Sequence, residues 1–393
     1  MKAEFRGWRT KPGSPVEDAL ASLRHAEAMG PVQLALGYTP VARMNPYQAS
    51  LYCRFPELGI AHFPVNVFQD FEQISGIAQS APLHGVHLHW INGVTAASET
   101  RTQARDAVSK FVDRLEMFRS EGGVVVWTVH NRLPHDARYI AEEHVLRQKV
   151  SDLADVVHVM SAGAAEALRP DLLVEPAKTV VAPHPHYIGR YPNAMTRSEA
   201  RIALEIEPDE YVLVLFGAIK AYKGLDALLR AVNEVSARVI GRRVRLIVAG
   251  SPDTSMEAAQ FVAESELNPN VLIAARKIPN DEVQIYLRAA DIGVAPYRRV
   301  LNSGAVALYN SFGLPAIVPD DPGLVDSLLD GTYLTYESAD ESGLERLIIQ
   351  VVEDPPRISS ESSLSMIAAR SPEVVSALLA NGILERVRRT GRP

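Results

Sequence analysis

Cysteine is almost absent from these 393 residues, with Cys53 alone. A single thiol closes no internal disulfide and builds no thiolate metal cluster, so nothing here requires an oxidising compartment. Long apolar runs are missing as well. No stretch of about 18 apolar residues occurs, which argues against a spanning helix. The opening Met1-Lys2-Ala3-Glu4-Phe5-Arg6 has no apolar core of a secretory signal, and the expected location is the cytoplasm. No Ser/Gly, Gln or acidic tract is long enough for a disordered arm. An overall basic excess is lacking too: the formal net charge is -7, the wrong sign for a protein that coats nucleic acid. Asp-x-Asp does not occur, so no acidic pair stands ready to hold a divalent ion against phosphates.

What is present is a globular composition, 47% hydrophobic and 22% charged, in a chain long enough for two cores. Short apolar, β-branched runs alternate with longer amphipathic stretches, the pattern of parallel strands joined by crossover helices. In the first half the predicted strands are 32–36, 65–68, 85–89, 124–129, 156–160 and 179–182, with helices over 45–55 and 100–119. The rhythm restarts with strands 211–216, 244–249, 271–274, 292–295 and 316–318, and helices 224–237, 281–290 and 303–312. The proline-rich stretch 183–195 breaks the periodicity and sets the expected boundary. The predicted organisation is α/β: a Rossmann-like domain over 1–195, a second over 196–371, and a final helical segment, 372–393, packing back on the first. Ligands of open parallel sheets bind beyond the carboxyl ends of the strands, so the two sheets are expected to face a shared cleft.

Two segments of the second half have the chemistry to hold a diphosphate. Phe216-Gly217-Ala218-Ile219-Lys220-Ala221-Tyr222-Lys223-Gly224 follows a strand and opens a helix, bringing cations, glycines and backbone amides together. Here lysine would act as a mobile point charge. Further on, Asn302-Ser303-Gly304 precedes a helix that either Asn302 or Ser303 can cap, leaving the first amides and the Ser303 hydroxyl for phosphate oxygens.

In the first half, Gly85-Val86-His87-Leu88-His89-Trp90 places His87 and His89 on one face of a strand. Trp127-Thr128-Val129-His130-Asn131 ends the next strand, and His135 follows in the loop. His87, inside its strand, reads as a buried, hydrogen-bonded residue. His89 and His130, nearer strand ends, could move a proton or stabilise developing charge. Zinc is a competing reading, because His184 and His186 form a second His-x-His pair, but no carboxylate or cysteine arrives at ligand spacing. Trp90 and Trp127 offer flat apolar faces either for sugar rings or for packing in the core. Asn45, with Pro46 at the first helical position, predicts a helix start whose amides, with Tyr47, line the cleft.

In this order and spacing the motifs resemble the nucleotide-sugar glycosyltransferases of the GT-B fold, most closely glycosyltransferase family 4. The carriers are Asn45-Pro46-Tyr47, Val86 to Trp90, Thr128 to Asn131, Val157 to Ser161, Pro183-His184-Pro185, Phe216 to Gly224, Val248-Ala249-Gly250, Ala290 to Tyr297, Asn302-Ser303-Gly304 and Ser311 to Pro315. By that resemblance the chain is a cytoplasmic, metal-independent hexosyltransferase of polysaccharide or glycolipid assembly, needing no cofactor beyond its nucleotide-sugar donor. The acceptor would be a glycan, a lipid-linked sugar or a small molecule, and no nucleic acid. Lys220 stands for the family's arginine on the donor diphosphate, Lys223 for its lysine, and His130 for its active-site histidine. Gly217, Asn302, Ser303 and Gly304 complete the donor site, and Asn45, Tyr47, Trp90 and Asn131 the acceptor side. The family's two glutamates are replaced by Val300 and Leu308. Retention of configuration is what the resemblance implies. Inversion, with His130 as base and His89 or Asp136 behind it, is the alternative, and the fold also serves epimerases, phosphorylases and non-catalytic nucleotide-sugar binders. The basic end Leu384 to Arg389, with Arg392, offers peripheral contact with the inner membrane face.

Overall fold

The structure, a computed structural model, describes residues 15–42, 45–65, 81–133, 137–298 and 300–389. The chain forms two compact units, Met1–Pro185 with Arg370–Pro393, and His186–Ala369.

The first unit is built on a parallel sheet of order β2-β1-β3-β4-β5-β6. Its strands are β1 (Leu34–Thr39), β2 (Ile60–Pro64), β3 (Leu83–Leu88), β4 (Val124–Thr128), β5 (Val156–Val159) and β6 (Thr179–Val181). β4 is Val-Val-Val-Trp-Thr and wholly buried, as expected of a strand covered on both faces. The helix Arg101–Ser120 begins at a capping box, with Thr100 Oγ1 accepting the Gln103 N–H and the Gln103 side chain accepting the Thr100 N–H, each at 3.2 Å. Such a cap contributes about 1 kcal/mol. Ala104, Val108, Phe111, Leu115 and Phe118 then form its buried stripe. The expected strand 65–68 falls almost entirely outside the described residues. The strand actually formed in that region is β2, whose single His and terminal Pro disguise a short buried run.

The closing helix, Pro372–Arg389, belongs to this unit. It buries Val375, Leu379, Ile383 and Val387, spaced every four residues, against β5, β6 and the helix Tyr47–Leu51. Ser376 Oγ accepts the Arg54 N–H at 2.9 Å. The arginines of its last turn have partners within the unit: Arg388 donates to Gln33, and Arg386 and Arg389 pair with Glu385.

The second unit has the parallel order β12-β11-β10-β7-β8-β9, from β7 (Tyr211–Phe216), β8 (Val244–Ala249), β9 (Val271–Ala274), β10 (Ile292–Val294), β11 (Ala316–Pro319) and β12 (Tyr333–Tyr336). β7, β8 and β9 span the predicted residues. Alternation assigns Leu213 and Leu215 to the core under the helices Leu225–Arg238 and Gly343–Glu353. Val212 and Val214 face the other core, with Leu287, Val306 and Tyr309. The unit starts about ten residues before the predicted boundary because Tyr187 already belongs to its core, its N–H donating to Ser311 Oγ at 2.8 Å.

In each sheet the strand order reverses once, between β1 and β3 in the first unit and between β7 and β10 in the second. Crevices at such switch points are where open α/β sheets bind ligands. Among the described residues, no helix is long and apolar enough to cross a membrane.

Candidate active site

At the switch point of the first unit, the loops after β1 and β3 and the end of β4 bring together Tyr47, His89, Trp90 and His130. The Tyr47 ring packs against His89, His130 and His184, with centroids at 6.1, 5.5 and 4.9 Å. Trp90, half-buried, stacks on His130 at 4.2 Å and 18°. Tyr47 is buried, yet among the described residues its hydroxyl has no hydrogen-bond partner. An unpaired buried hydroxyl costs about 1–3 kcal/mol. Asn45 is exposed and its side chain accepts the Tyr47 N–H at 3.0 Å, so it fixes the turn into the short helix Tyr47–Leu51. Asn131 is half-buried, and its carbonyl accepts from Arg147 at 3.2 Å. Trp127 lies in the core at 1% exposure and offers no face to a sugar. His135 and Asp136 lie outside the described residues.

Below this cluster runs a continuous buried chain of hydrogen bonds whose polarity can be worked out from one end. His158 Nε2 faces the Ala182 carbonyl at 2.8 Å, and a carbonyl only accepts, so Nε2 carries the proton. In the neutral ring Nδ1 then accepts, and Thr128 donates to it at 2.9 Å. Thr128 Oγ1 must in turn accept from His87 Nε2 at 2.7 Å. His87 Nδ1 accepts from the Tyr52 hydroxyl at 2.8 Å, whose oxygen accepts from His89 Nε2 at 2.5 Å. Finally His89 Nδ1 accepts from His130 Nε2 at 3.0 Å. All four rings are therefore Nε2–H tautomers, and the lone pair of His130 sits on Nδ1.

Burial keeps these rings neutral. It pushes His87, His89 and His130 well below the ordinary histidine value, and His158 and His184 down to about 4. Both nitrogens of His87 and of His89 are committed to hydrogen bonds, which leaves them none to give a metal. Among the described residues no group of three His, Cys, Asp or Glu side chains could hold one. Tyr52 and Thr128 were not singled out from the sequence. The available signal was spacing: His87 and His89, Thr128 and His130, and His158 end three neighbouring strands on one face, with Thr128 directly opposite His158.

At the switch point of the second unit, Gly217 has φ +102 and Gly224 φ +66. A Cβ on Gly224 would stand 2.1 Å from the Pro296 carbonyl oxygen, so only glycine fits there. Lys223 is buried instead of mobile, with Nζ 5.8 Å from the centre of the Tyr297 ring and close against Gly217. Burial, then the charge of Lys220, lowers it to about 8. Lys220 is half-buried on the same loop. Ser303, not Asn302, caps the helix Gly304–Ser311, accepting the Val306 N–H at 3.2 Å. Its hydroxyl also bonds Tyr297, so the hydroxyl expected to be available for phosphate is already engaged within the fold. What remains for an anion is the helix start at Gly304. Asp291, part of the sequence motif, is structural: it accepts from Arg201 and from the Val212 N–H, each at 2.8 Å. Val300 and Leu308 are buried in the apolar core, so no carboxylate replaces the two glutamates at those positions.

Residues 210–354 match the family described as Glycosyl transferases group 1. The GDP-mannose:glycolipid 4-beta-D-mannosyltransferase of Xanthomonas campestris pv. campestris is 24% identical over 322 residues, covering 81% of this chain and 83% of that protein. The D-inositol 3-phosphate glycosyltransferase of Actinosynnema mirum is 31% identical over 202 residues, 49% of this chain and 46% of that one, so less than half of that relative is spanned. Among solved structures, Anabaena Alr3699/HepE in complex with UDP and glucose superposes with a TM-score of 0.64 at 13% identity, covering 89% of this chain and 99% of that one. Sucrose-phosphate synthase from Thermosynechococcus elongatus gives 0.61 at 16%, covering 91% and 100%.

Proposed function

We propose that this chain is a GT-B glycosyltransferase of the family-4-like type, which transfers a hexosyl group from a nucleoside diphosphate sugar to a glycan or lipid-linked acceptor, without a metal and with inversion at the anomeric carbon. In this reading the second unit holds the donor. Lys220, Lys223 and the amides at Gly304 meet the diphosphate, and their fixed charge and dipoles stabilise it as it leaves. The UDP of the Anabaena structure and the GDP-mannose in the name of the Xanthomonas relative support a nucleoside diphosphate as the leaving group.

The first unit supplies the base. Inversion requires a group that takes the acceptor proton on the face opposite the departing diphosphate. The observation that carries the proposal is the direction of the buried hydrogen-bond chain, which makes His130, just past the end of β4, a neutral imidazole with its proton on Nε2 and its lone pair on Nδ1. Trp90, half-buried and stacked on His130, would hold the acceptor sugar beside it, with Tyr47 packed behind the two imidazoles. Retention, implied by resemblance alone, asks nothing of that lone pair, and it is the stereochemistry usually found with the glutamates that Val300 and Leu308 replace. The relative's name also specifies a β-linked product from GDP-mannose. Sugar nucleotides of this kind are commonly α-linked, so a β product here would be an inverted one.

Proton NMR of the product formed from an α-linked nucleotide hexose tests the stereochemistry directly. A β anomer is expected, and an α anomer would replace inversion with retention. His130→Ala should lower kcat by roughly a hundredfold while leaving nucleoside diphosphate affinity unchanged, and chelator should leave turnover unaffected.

A further inference from the structure

We infer that Glu143 and Arg147, a buried ion pair on the helix Ile140–Leu153, are positioning residues that hold the loop after β3 against the loop after β4 and so keep Trp90 stacked on His130. This rests on the reading above that an acceptor sugar binds beside those two rings. The inward side of a helix packed on a sheet is expected to be apolar. Leu146 and Val150 meet that expectation, yet Glu143 and Arg147 are buried with them, at 1 and 5% exposure. Three grips on the loops follow one row of this helix, at every fourth residue. The Tyr139 hydroxyl, at the helix start, donates to the Ser98 carbonyl at 3.3 Å. Thr95 Oγ1, in the short helix Gly93–Ala96 that follows Trp90, donates to Glu143 Oε1. Arg147 Nη1 donates to the carbonyl of Asn131, the residue after His130, at 3.2 Å.

Glu143 Oε2 and Arg147 Nε lie 3.8 Å apart, so Thr95, Glu143, Arg147 and the Asn131 carbonyl form one polar bridge between the loop of Trp90 and the loop of His130. The two rings stack at 4.2 Å and 18°. Stability does not account for this pair. Apolar side chains of similar volume in place of a buried ion pair are often neutral or stabilising. Arg147 is also sparsely bonded for a buried guanidinium. Arg201, likewise buried in the second unit, donates to four carbonyls and to Asp291. Arg147 donates to one carbonyl and faces Glu143 across a gap too long for a hydrogen bond. Charge kept at such a cost, where it spans two loops of one site, acts on geometry: small misplacements of binding groups cost rate far more than they cost stability.

The test replaces the bridge by apolar side chains of similar volume, Thr95→Val, Glu143→Leu and Arg147→Met together, so that no buried charge is left uncompensated. This triple variant should melt at or above the wild-type temperature and bind UDP or GDP as the wild type does, while kcat falls about tenfold or more at unchanged donor KM. In the free protein, acrylamide should quench Trp90 at least about twofold more strongly than in the wild type, because its loop opens locally. Trp90 emission is read as the difference from the same protein carrying Trp90→Phe. Arg147→Lys alone should keep most of the wild-type kcat and quenching, since only one N–H of the guanidinium is used on the loop. A triple variant with wild-type kcat and quenching overturns the positioning role and leaves His130 and Trp90 as the site. A triple variant that melts well below the wild type overturns it too, by making the pair a structural element. If His130→Ala and Trp90→Ala both keep full activity, the reading of the site itself falls.

Discussion

All eleven histidines lie at or before His186, so the second unit has none beyond its first residue. The first unit places neutral, directional side-chain donors and acceptors at its switch point, at the cost of burying five imidazoles. At the equivalent point the second unit relies on lysine, glycine and backbone. The same sheet architecture thus carries opposite chemistry at its two switch points: side chains that hold charge reluctantly in one unit, and permanent cations with backbone dipoles in the other. Lys223 shows the limit of the second strategy, since its burial lowers its proton affinity to about 8.

The largest effect should come from stripping the second unit of its cations. Lys220→Ala with Lys223→Ala should weaken nucleoside diphosphate binding by a hundredfold or more, since hydrogen bonds to charged groups are worth about 1.5–3 kcal/mol each. Isothermal titration with UDP, GDP, ADP and dTDP would measure it, and unchanged affinity for all would remove the diphosphate from this loop. Gly224→Ala attacks the same loop through its backbone. The clash with Pro296 and the positive φ should cost roughly 3 kcal/mol, lowering the melting temperature, while an unaltered melt would mean the turn is not tight.

The two units should also fail at opposite ends of the pH scale. Below about 6.5 the unfolded chain binds protons that the buried histidines refuse, so the first unit's stability is intact above that pH and falls below it. Each fully buried ring contributes a slope of about 1.4 kcal/mol per pH unit. Hydrogen exchange at pH 5 should open the first unit before the second. Above about 8, Lys223 loses its charge, and donor affinity should fall by up to about tenfold per pH unit. A flat affinity between pH 7 and 10 would place Lys223 outside the donor site.

How much of this was legible in the sequence differs between the units as well. β7 and β8 were read residue for residue because apolar runs covered on both faces declare themselves, and β9, a half-buried edge strand, because Val-Leu-Ile-Ala is apolar throughout. β12, Tyr-Leu-Thr-Tyr at a half-exposed edge, gave no such signal and was missed. The helix Met256–Glu266 was missed too, because only Ala258, Phe261 and Ser265 are buried along it. His130, Lys220 and Lys223 could be named as site candidates because each follows a strand. The burial of Lys223 could not, since it depends on Tyr297 from another strand's loop. The hydrogen-bond chain was visible only as three separate period-two patterns. Nothing local says that Tyr52, from a helix end, bridges two of them.

The helix Pro372–Arg389 gives synthesis an order. The second unit is a continuous stretch, His186–Ala369, and needs no later residue to complete its core. The first must wait, because the apolar face that shelters the histidine chain stays open to water until residues made after the whole of the second unit emerge. The second unit's core is therefore independent of the last helix, and the first unit's is not. A released chain truncated just past Ala369 should resist protease within the second unit and yield within the first.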